Sequence, residues 1–281
     1  MSADGALLAR KTWRTLEPLH GMIYFVPEAA EAYERLGITG RAGYFASRAA
    51  PMGAVGADVV IATFFNFNPD LVRAAIPHAW EVTSPEALVE ARLLAVDGAF
   101  RRVLGNDVLE SHSMARAAEL ARGLADSAGT QLEGRPLSAA HADLSWPDAP
   151  HLVLWHAQSI LREFRGDGHV ALLLTHGLSG IDALVTHAAA GDATSGLLRS
   201  TRGWSDAQWG AAVSSLRQRG WLAEGDDLAL TEWGAAQRQE IEDKTDILAA
   251  APYAALGEEG CAELRTLTRP WSTTFAELLF R

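Results

Sequence analysis

Cysteine is nearly absent from this chain of 281 residues, since Cys261 is the only one. A single cysteine excludes an intramolecular disulfide and a zinc site built from several cysteines. Acidic residues flank it in the segment 258–263. Their charge should raise the pKa of its thiol and disfavour a reactive thiolate.

Long apolar runs are also absent. The longest, around Val170–Leu174, is far below the roughly 20 residues that cross a bilayer. The segment Met1 to Arg14 has no apolar stretch followed by a cleavage site. We therefore expect a cytoplasmic protein with no membrane partner.

Lysine is scarce, because Lys11 and Lys244 are the only two, and the formal net charge is −11. Electrostatic attraction supplies most of the non-specific affinity for DNA, so a protein this acidic needs a local basic patch to bind it. The arginines are scattered along the sequence. The charge therefore disfavours DNA as a partner.

Familiar catalytic and cofactor motifs are missing. No GxxxxGK[ST], GxGxxG, GxSxG or HExxH segment occurs, which argues against nucleotide binding, the usual serine nucleophile and a zinc protease site. His141, Asp143, His151 and His156 lie within sixteen residues but at no recognised ligand spacing. We predict no metal site. No cofactor motif is present, and haem or another organic ligand is left open.

The residues that are present indicate a mainly α protein. Hydrophobic residues make up 48% of the chain, and helix-starting pairs such as Asn68-Pro69 and Ser84-Pro85 precede apolar residues at helical spacing. A helix is predicted from His151 to Phe164, ended by the glycines of the segment 165–168. The segment 59–67 fits a strand or a buried helix equally well, and 141–150 is predicted to be an ordered loop.

The segment Trp204–Gln237 carries the clearest pattern. Ser205 is placed to cap a helix that Gly220 ends. A short strand is predicted from Leu222, with a tight turn at 224–227 and a return at 228–230. Thr231 then caps another helix. Helix, short hairpin and helix in this order are typical of a winged helix.

This segment resembles the MarR-type winged helix. The matching positions are Leu216, Arg219, Gly220, Trp221, Leu222, Leu228, Leu230, Thr231, Glu232 and Gly234. The chain also resembles an actinobacterial family of helix-turn-helix proteins, through Leu16–Glu28 and Trp155–Ala171. We expect tandem winged-helix-like lobes with small β-hairpin wings, 1–130 and 131–281, the MarR-like winged helix lying at about 200–240. The resemblance implies a homodimer.

DNA contacts, where the winged helix makes them, would come from Arg199, Arg202, Arg217 and Arg219. The first half of the predicted recognition helix has no cation, and the turn 224–227 has three acids and no base. Such a turn usually supplies cations to phosphates. These acids again weigh against DNA binding.

Aromatic residues and histidines suggest a small-molecule pocket instead. The predicted wall residues are His20, Tyr24, Phe25, Trp146, Trp155 and His156, since aromatic walls with a few imidazoles suit an organic ligand. The alternative for His20 is a buried anchor whose imidazole is hydrogen-bonded to the backbone. The main hypothesis is a ligand-binding protein of MarR-like descent, including a ligand-responsive transcriptional regulator. The alternatives are an enzyme of small-molecule metabolism on this scaffold and a protein-interaction module.

Overall fold

A computed structural model describes residues 3–279, and these are mainly helical. The helices are α1 Ala3–Gly21, α2 Pro27–Arg35, α3 Arg41–Ala49, α4 Ala57–Thr63, α5 Pro69–Arg73, α6 His78–Val82, α7 Pro85–Leu104, α8 Asn106–Leu109, α9 His112–Ala128, α10 Pro136–Ala142, α11 Pro150–Thr175, α12 Gly180–Ala189, α13 Ser195–Arg202, α14 Asp206–Gln218 and α15 Glu232–Leu279, the last interrupted at Gly257. Short 3-10 turns occupy Met22–Tyr24 and Ala50–Met52.

The prediction of small β-hairpin wings is wrong. No strand occurs within residues 3–279, and Leu222 and Leu230 form only an isolated antiparallel bridge. The segment after the turn is too short to form a second strand. Thr231, directly after Leu230, already caps α15, because its hydroxyl accepts a hydrogen bond from Gly234 N at 2.9 Å. The segment 59–67, left open between strand and helix, is largely covered by α4.

The predicted end of a helix at Phe164 is also wrong, because α11 continues to Thr175. Gly168 lies inside it against neighbouring side chains. A Cβ built there would lie 3.0 Å from Arg135 Nη1 and 3.6 Å from Leu248 Cβ. This glycine therefore allows close packing instead of ending the helix. The loop predicted at 141–150 begins later, because α10 includes His141.

The chain forms two compact units, and both are discontinuous in sequence. Unit 1 comprises Met1–Val55, Ala75–Gly168 and Asp246–Arg281, and unit 2 comprises Gly56–Ala74 and His169–Thr245. The sequence-based division at about residue 130 stays a prediction. No single helix of the described chain is long and apolar enough to cross a membrane, although α11 and α12 together reach that length and composition.

In unit 2, α13 and α14 follow one another across a short turn at Gly203. Ser205 caps α14 in a reciprocal capping box with Gln208, as its sequence predicts. Gly234 at the start of α15 is required by close contact, since a Cβ there would lie 2.2 Å from Trp221 O. The core is built from residues of five helices and the bridge: Leu173, Leu178, Leu184, Val185, Leu198, Trp209, Ala212, Leu216, Trp221, Leu222 and Ile241.

Unit 1 is organised around α7, which packs against α2 and α3. Ser84 caps α7 by accepting a hydrogen bond from Ala87 N at 3.2 Å. One face of α7 is buried through Leu88, Val96 and Phe100. That face also places Arg92 inside the unit.

Candidate ligand site and helix-turn-helix surface

A cavity of about 400 Å³ lies within unit 1. Its walls come from the turn after α3, from α7, from the segment 141–145 and from α11. The apolar part of the wall includes Pro51, Val89, Leu93, Leu144 and the ring of Trp155. The polar part is formed by Arg92, His141 and His156, with Glu86 and Glu90 as carboxylates on exposed positions. This size and this mixture are typical of small-molecule sites.

Arg92 is the buried cation of this wall, with 3% of its surface exposed. Its Nη1 donates to Ser47 O at 3.1 Å, and its guanidinium carbon lies 5.1 Å from the centroid of the Trp155 ring. Its Nε and Nη2 are buried without a hydrogen-bond partner in the part of the chain that the structure describes. Buried donors are normally satisfied, so this edge of Arg92 is unusual.

The two cavity histidines are neutral at neutral pH. Burial lowers the pKa of His141 to about 4 and that of His156 to about 4. His141 Nδ1 donates to Leu137 O at 2.9 Å, which leaves Nε2 as its acceptor atom. His156 Nε2 is buried without a partner within residues 3–279. The cavity therefore presents two uncharged imidazoles beside one guanidinium.

Of the six predicted wall residues, Trp155 and His156 line the cavity. Three of the others contact these two residues or each other. His20 stacks on Trp155 with ring centroids 5.3 Å apart, Tyr24 meets His20 edge to face at 5.8 Å, and Trp146 meets His156 in the same way at 4.8 Å. Phe25 is outside this group, because 72% of its surface is exposed and it does not line the cavity.

His20 does not make the backbone hydrogen bond of the anchor alternative. Neither ring nitrogen has a partner within the described residues, and burial holds the pKa of this imidazole well below its usual range. Its contact with the indole of Trp155 is instead made by stacking and through its own carbonyl, which accepts from Trp155 Nε1 at 3.4 Å. His20 therefore helps to hold the Trp155 ring in place.

The four arginines named from the sequence lie in α13, in α14 and at the end of α14. Arg199 pairs with Asp206 at the start of α14, and the Arg202 guanidinium lies 4.8 Å from the Phe67 ring centroid. Arg217 donates to the carbonyl of Ala223 at 3.2 Å. Arg219 donates to Gly177 O at 2.7 Å and to Asp182 at 3.2 Å.

A family model described as a helix-turn-helix family matches residues 9–278. The chain belongs to this helix-turn-helix family. No curated protein and no solved structure matches the chain at the threshold applied. The match confirms the helix-turn-helix part of the sequence interpretation, and the MarR-like and actinobacterial parts stay predictions.

Acids dominate the solvent-exposed face of this helix-turn-helix. Asp206 on the first turn of α14 is exposed, and so are Glu224, Asp226 and Asp227 in the turn before α15. Phosphate contacts normally come from Arg, Lys and backbone amides. These carboxylates would repel a phosphate backbone, and three of the four arginines already bind acids or carbonyls of unit 2.

No group of three or more potential metal ligands occurs within residues 3–279. Cys261 is buried, and burial followed by the nearby charge of Glu258 raises the pKa of its thiol. The direction of this shift agrees with the sequence expectation, although burial is its larger cause.

Sequence reasoning missed Arg92, the most telling residue of the site. A signal for it was available, because Arg92 follows Leu88 by one helical turn and shares the apolar face that continues to Val96. A charged residue on the buried face of an amphipathic helix is rare unless it has a partner or a function. Glu163 was missed for a similar reason, since it lies on α11 with 2% of its surface exposed.

Proposed function

We propose that this helix-turn-helix protein binds a small organic molecule in the cavity of unit 1. The observation that carries the proposal is an apolar cavity lined in part by Arg92, whose buried Nε and Nη2 have no hydrogen-bond partner among the described residues. Trp155 contributes an apolar side chain and the neutral His156 a polar one to the lining of the same cavity. An apolar cavity with a few convergent polar groups is the usual form of a ligand site.

Thermal unfolding with naphthol, naphthoate and naphthylmethylamine as probes tests this proposal. We expect at least one probe to stabilise the protein, by about 2.7 kcal/mol at a hundredfold excess over its Kd. The variant Leu93→Trp should lose this response, because a larger side chain fills the cavity. Leu94→Trp is the matched control, since Leu94 is the next residue of α7 and is 62% exposed. If no probe stabilises the parent, or if Leu93→Trp responds as the parent does, the proposal is wrong.

We also propose that unit 2 descends from MarR-type regulators but does not read DNA through α14. The pairing of Arg199 with Asp206 and the acids of the turn 224–227 support this. Purified protein should then fail to retard its own upstream DNA even at low salt, where electrostatic binding is strongest. Retardation that weakens steeply with salt would contradict this proposal and favour the hypothesis of a ligand-responsive transcriptional regulator. A homodimer belongs to the same proposal, and sedimentation measures it.

An enzyme of small-molecule metabolism is the second candidate. The observation that favours it is the neutral imidazole of His156, a residue that lines the cavity and whose buried Nε2 has no partner within residues 3–279. A neutral imidazole can accept a proton from a bound substrate. Conversion of a bound compound by the parent but not by His156→Gln, with binding retained in both, would favour this candidate over simple binding.

A further inference from the structure

We propose that the cavity takes a singly charged organic acid, whose carboxylate pairs with Arg92 while its apolar body lies along Trp155. This inference rests on the proposed function and assigns the ligand class of that same site. Its starting point is the edge of the guanidinium formed by Nε and Nη2.

The same edge of another arginine shows what Nε and Nη2 bind in this protein. Arg48 donates from Nε to Glu163 Oε1 at 3.0 Å and from Nη2 to Glu163 Oε2 at 2.8 Å. Such parallel hydrogen bonds match the geometry of a carboxylate. Arg92 presents the same two donors without a partner, and no carboxylate within residues 3–279 forms a salt bridge with it. Its free edge is therefore shaped for a carboxylate.

The other polar groups of the cavity favour an anion as well. His141 and His156 are uncharged at neutral pH because burial lowers the pKa of each to about 4. Arg92 is consequently the buried charge of the wall, and a negative group beside it would compensate a cation that is otherwise alone. Glu86 and Glu90 occupy exposed positions, where solvent and salt screen their charge.

The size and the apolar walls of the cavity favour an organic acid over an inorganic anion. A cavity of about 400 Å³ is far larger than an oxyanion needs, and Val89, Leu93, Leu144 and Trp155 would remain in contact with water. Burial of an apolar body against these side chains is favourable. A second carboxylate would have no buried partner, because Arg92 is the one cation among the lining residues that the structure describes. One carboxylate on an apolar or aromatic body fits every part of the wall.

Isothermal titration of the full chain with three probes tests this inference. The probes are naphthoate, naphthol and a naphthalene dicarboxylate, which share a ring system and differ in charge. We expect naphthoate to bind about 10- to 100-fold more tightly than naphthol, as a charge-assisted hydrogen-bonded pair predicts. The dicarboxylate should bind more weakly than naphthoate.

Variants of Arg92 assign the preference to one side chain. Arg92→Met should remove the preference for naphthoate over naphthol. Arg92→Lys keeps the positive charge but loses the planar guanidinium, so it should retain only part of the preference for naphthoate. This variant also serves as the test if Arg92→Met does not fold. Arg122→Met is the control, because Arg122 also lies over an indole, that of Trp146 at 4.6 Å, but is exposed outside the cavity.

The outcomes separate the two proposals. Equal binding of naphthoate and naphthol by the parent overturns the organic-acid assignment and leaves a ligand site in place. Retention of the full preference in both Arg92→Met and Arg92→Lys also overturns it, and tighter binding of the dicarboxylate overturns the single charge. Failure of all three probes to bind the parent contradicts the proposed function itself.

Discussion

The substitution Glu163→Gln would remove one negative charge from the interior of unit 1 while keeping the size of the side chain. Glu163 is 2% exposed and accepts hydrogen bonds from Arg48 at 3.0 and 2.8 Å and from Arg162 at 3.3 Å. The Arg48 side chain is itself only 12% exposed. The glutamine amide keeps one acceptor oxygen and places an NH₂ group against the second Arg48 donor. Arg48 would then be a buried cation facing a donor.

The size of the loss follows from the cost of an uncompensated buried charge. Removing one partner of a buried ion pair destabilises proteins by about 3–5 kcal/mol. The remaining acceptor oxygen of the amide and the hydroxyl of Tyr44, which accepts from Arg48 Nη1 at 3.2 Å, favour the lower end. We therefore expect the free energy of unfolding to fall by about 3 kcal/mol, a large part of the about 5–15 kcal/mol that stabilises a typical protein.

Urea unfolding followed by circular dichroism measures this loss, and an unchanged slope against urea shows that the native fold is retained. Glu17→Gln is the matched control, because Glu17 accepts from Arg162 Nε at 3.0 Å and its side chain is 31% exposed. Exposed ion pairs contribute only about 0–1 kcal/mol. A loss below about 1 kcal/mol in Glu163→Gln, or equal losses in the two variants, would refute the reasoning.

Acid provides a second measurement of the same charge. Burial by itself would raise the pKa of Glu163, but Arg48 and Arg162 outweigh it and hold this pKa well below its usual value of 4.5. Because the folded pKa is depressed, the contribution of Glu163 is present above pH 4.5 and is lost as the pH falls below it. The parent and Glu163→Gln should therefore converge in stability on the acid side.

Three further predictions concern single residues. Burial lowers the pKa of His141 and of His156 to about 4, so their NMR signals should not titrate between pH 5.5 and 8. Because these folded pKa values lie below the unfolded value of 6.5, the contribution of both histidines to stability should fall as pH drops from about 6.5 to about 4. Burial raises the pKa of Asp167 to about 6, so its contribution to stability falls as pH rises from about 4 to 6, opposite in sign to that of the two histidines. Measured relative to Asp167→Asn in urea titrations, the parent should therefore lose stability over this range. Gly234→Ala should destabilise the protein by about 1–3 kcal/mol in the same assay, because its Cβ would lie 2.2 Å from Trp221 O, whereas Gly210→Ala on exposed α14 should not.

Much of the helical fold could be predicted from local sequence. The caps at Ser84 and Ser205 start helices where the sequence indicates them, because a side-chain oxygen three residues before a free amide is a local feature. Thr231 likewise caps α15 as predicted, since its hydroxyl accepts a hydrogen bond from Gly234 N. These signals need no knowledge of distant parts of the chain.

The two errors have different causes. Gly166 and Gly168 have the composition of a helix end, yet α11 continues through both, and Arg135 and Leu248 pack against Gly168, so distant contacts outweigh local propensity there. The hairpin pattern after Leu222 has the right residues, but the local cap at Thr231 begins α15 directly after Leu230 and leaves only one bridge.

The candidate site follows the same division. Aromatic and histidine content drew attention to Trp155 and His156, since these residues stand out in any sequence of this composition. Arg92 did not stand out, because a single arginine in a helix is ordinarily a surface residue. Its role depends on the absence of a carboxylate within reach, and that is a property of the fold and not of the helix.

The two units use arginine in opposite ways, and this contrast bears on function. In unit 2, where DNA would be expected, Arg199 and Arg219 are neutralised by the carboxylates of Asp206 and Asp182. In unit 1 the fold provides a carboxylate for buried Arg48, so burial alone does not prevent a cation from finding a partner. Arg92 is buried to a similar degree and has none among the described residues. Because an uncompensated buried cation costs stability, its presence is best explained by a negative group that arrives from outside the chain. The electrostatics therefore direct the search for function to an anion in the cavity and away from the phosphates of DNA.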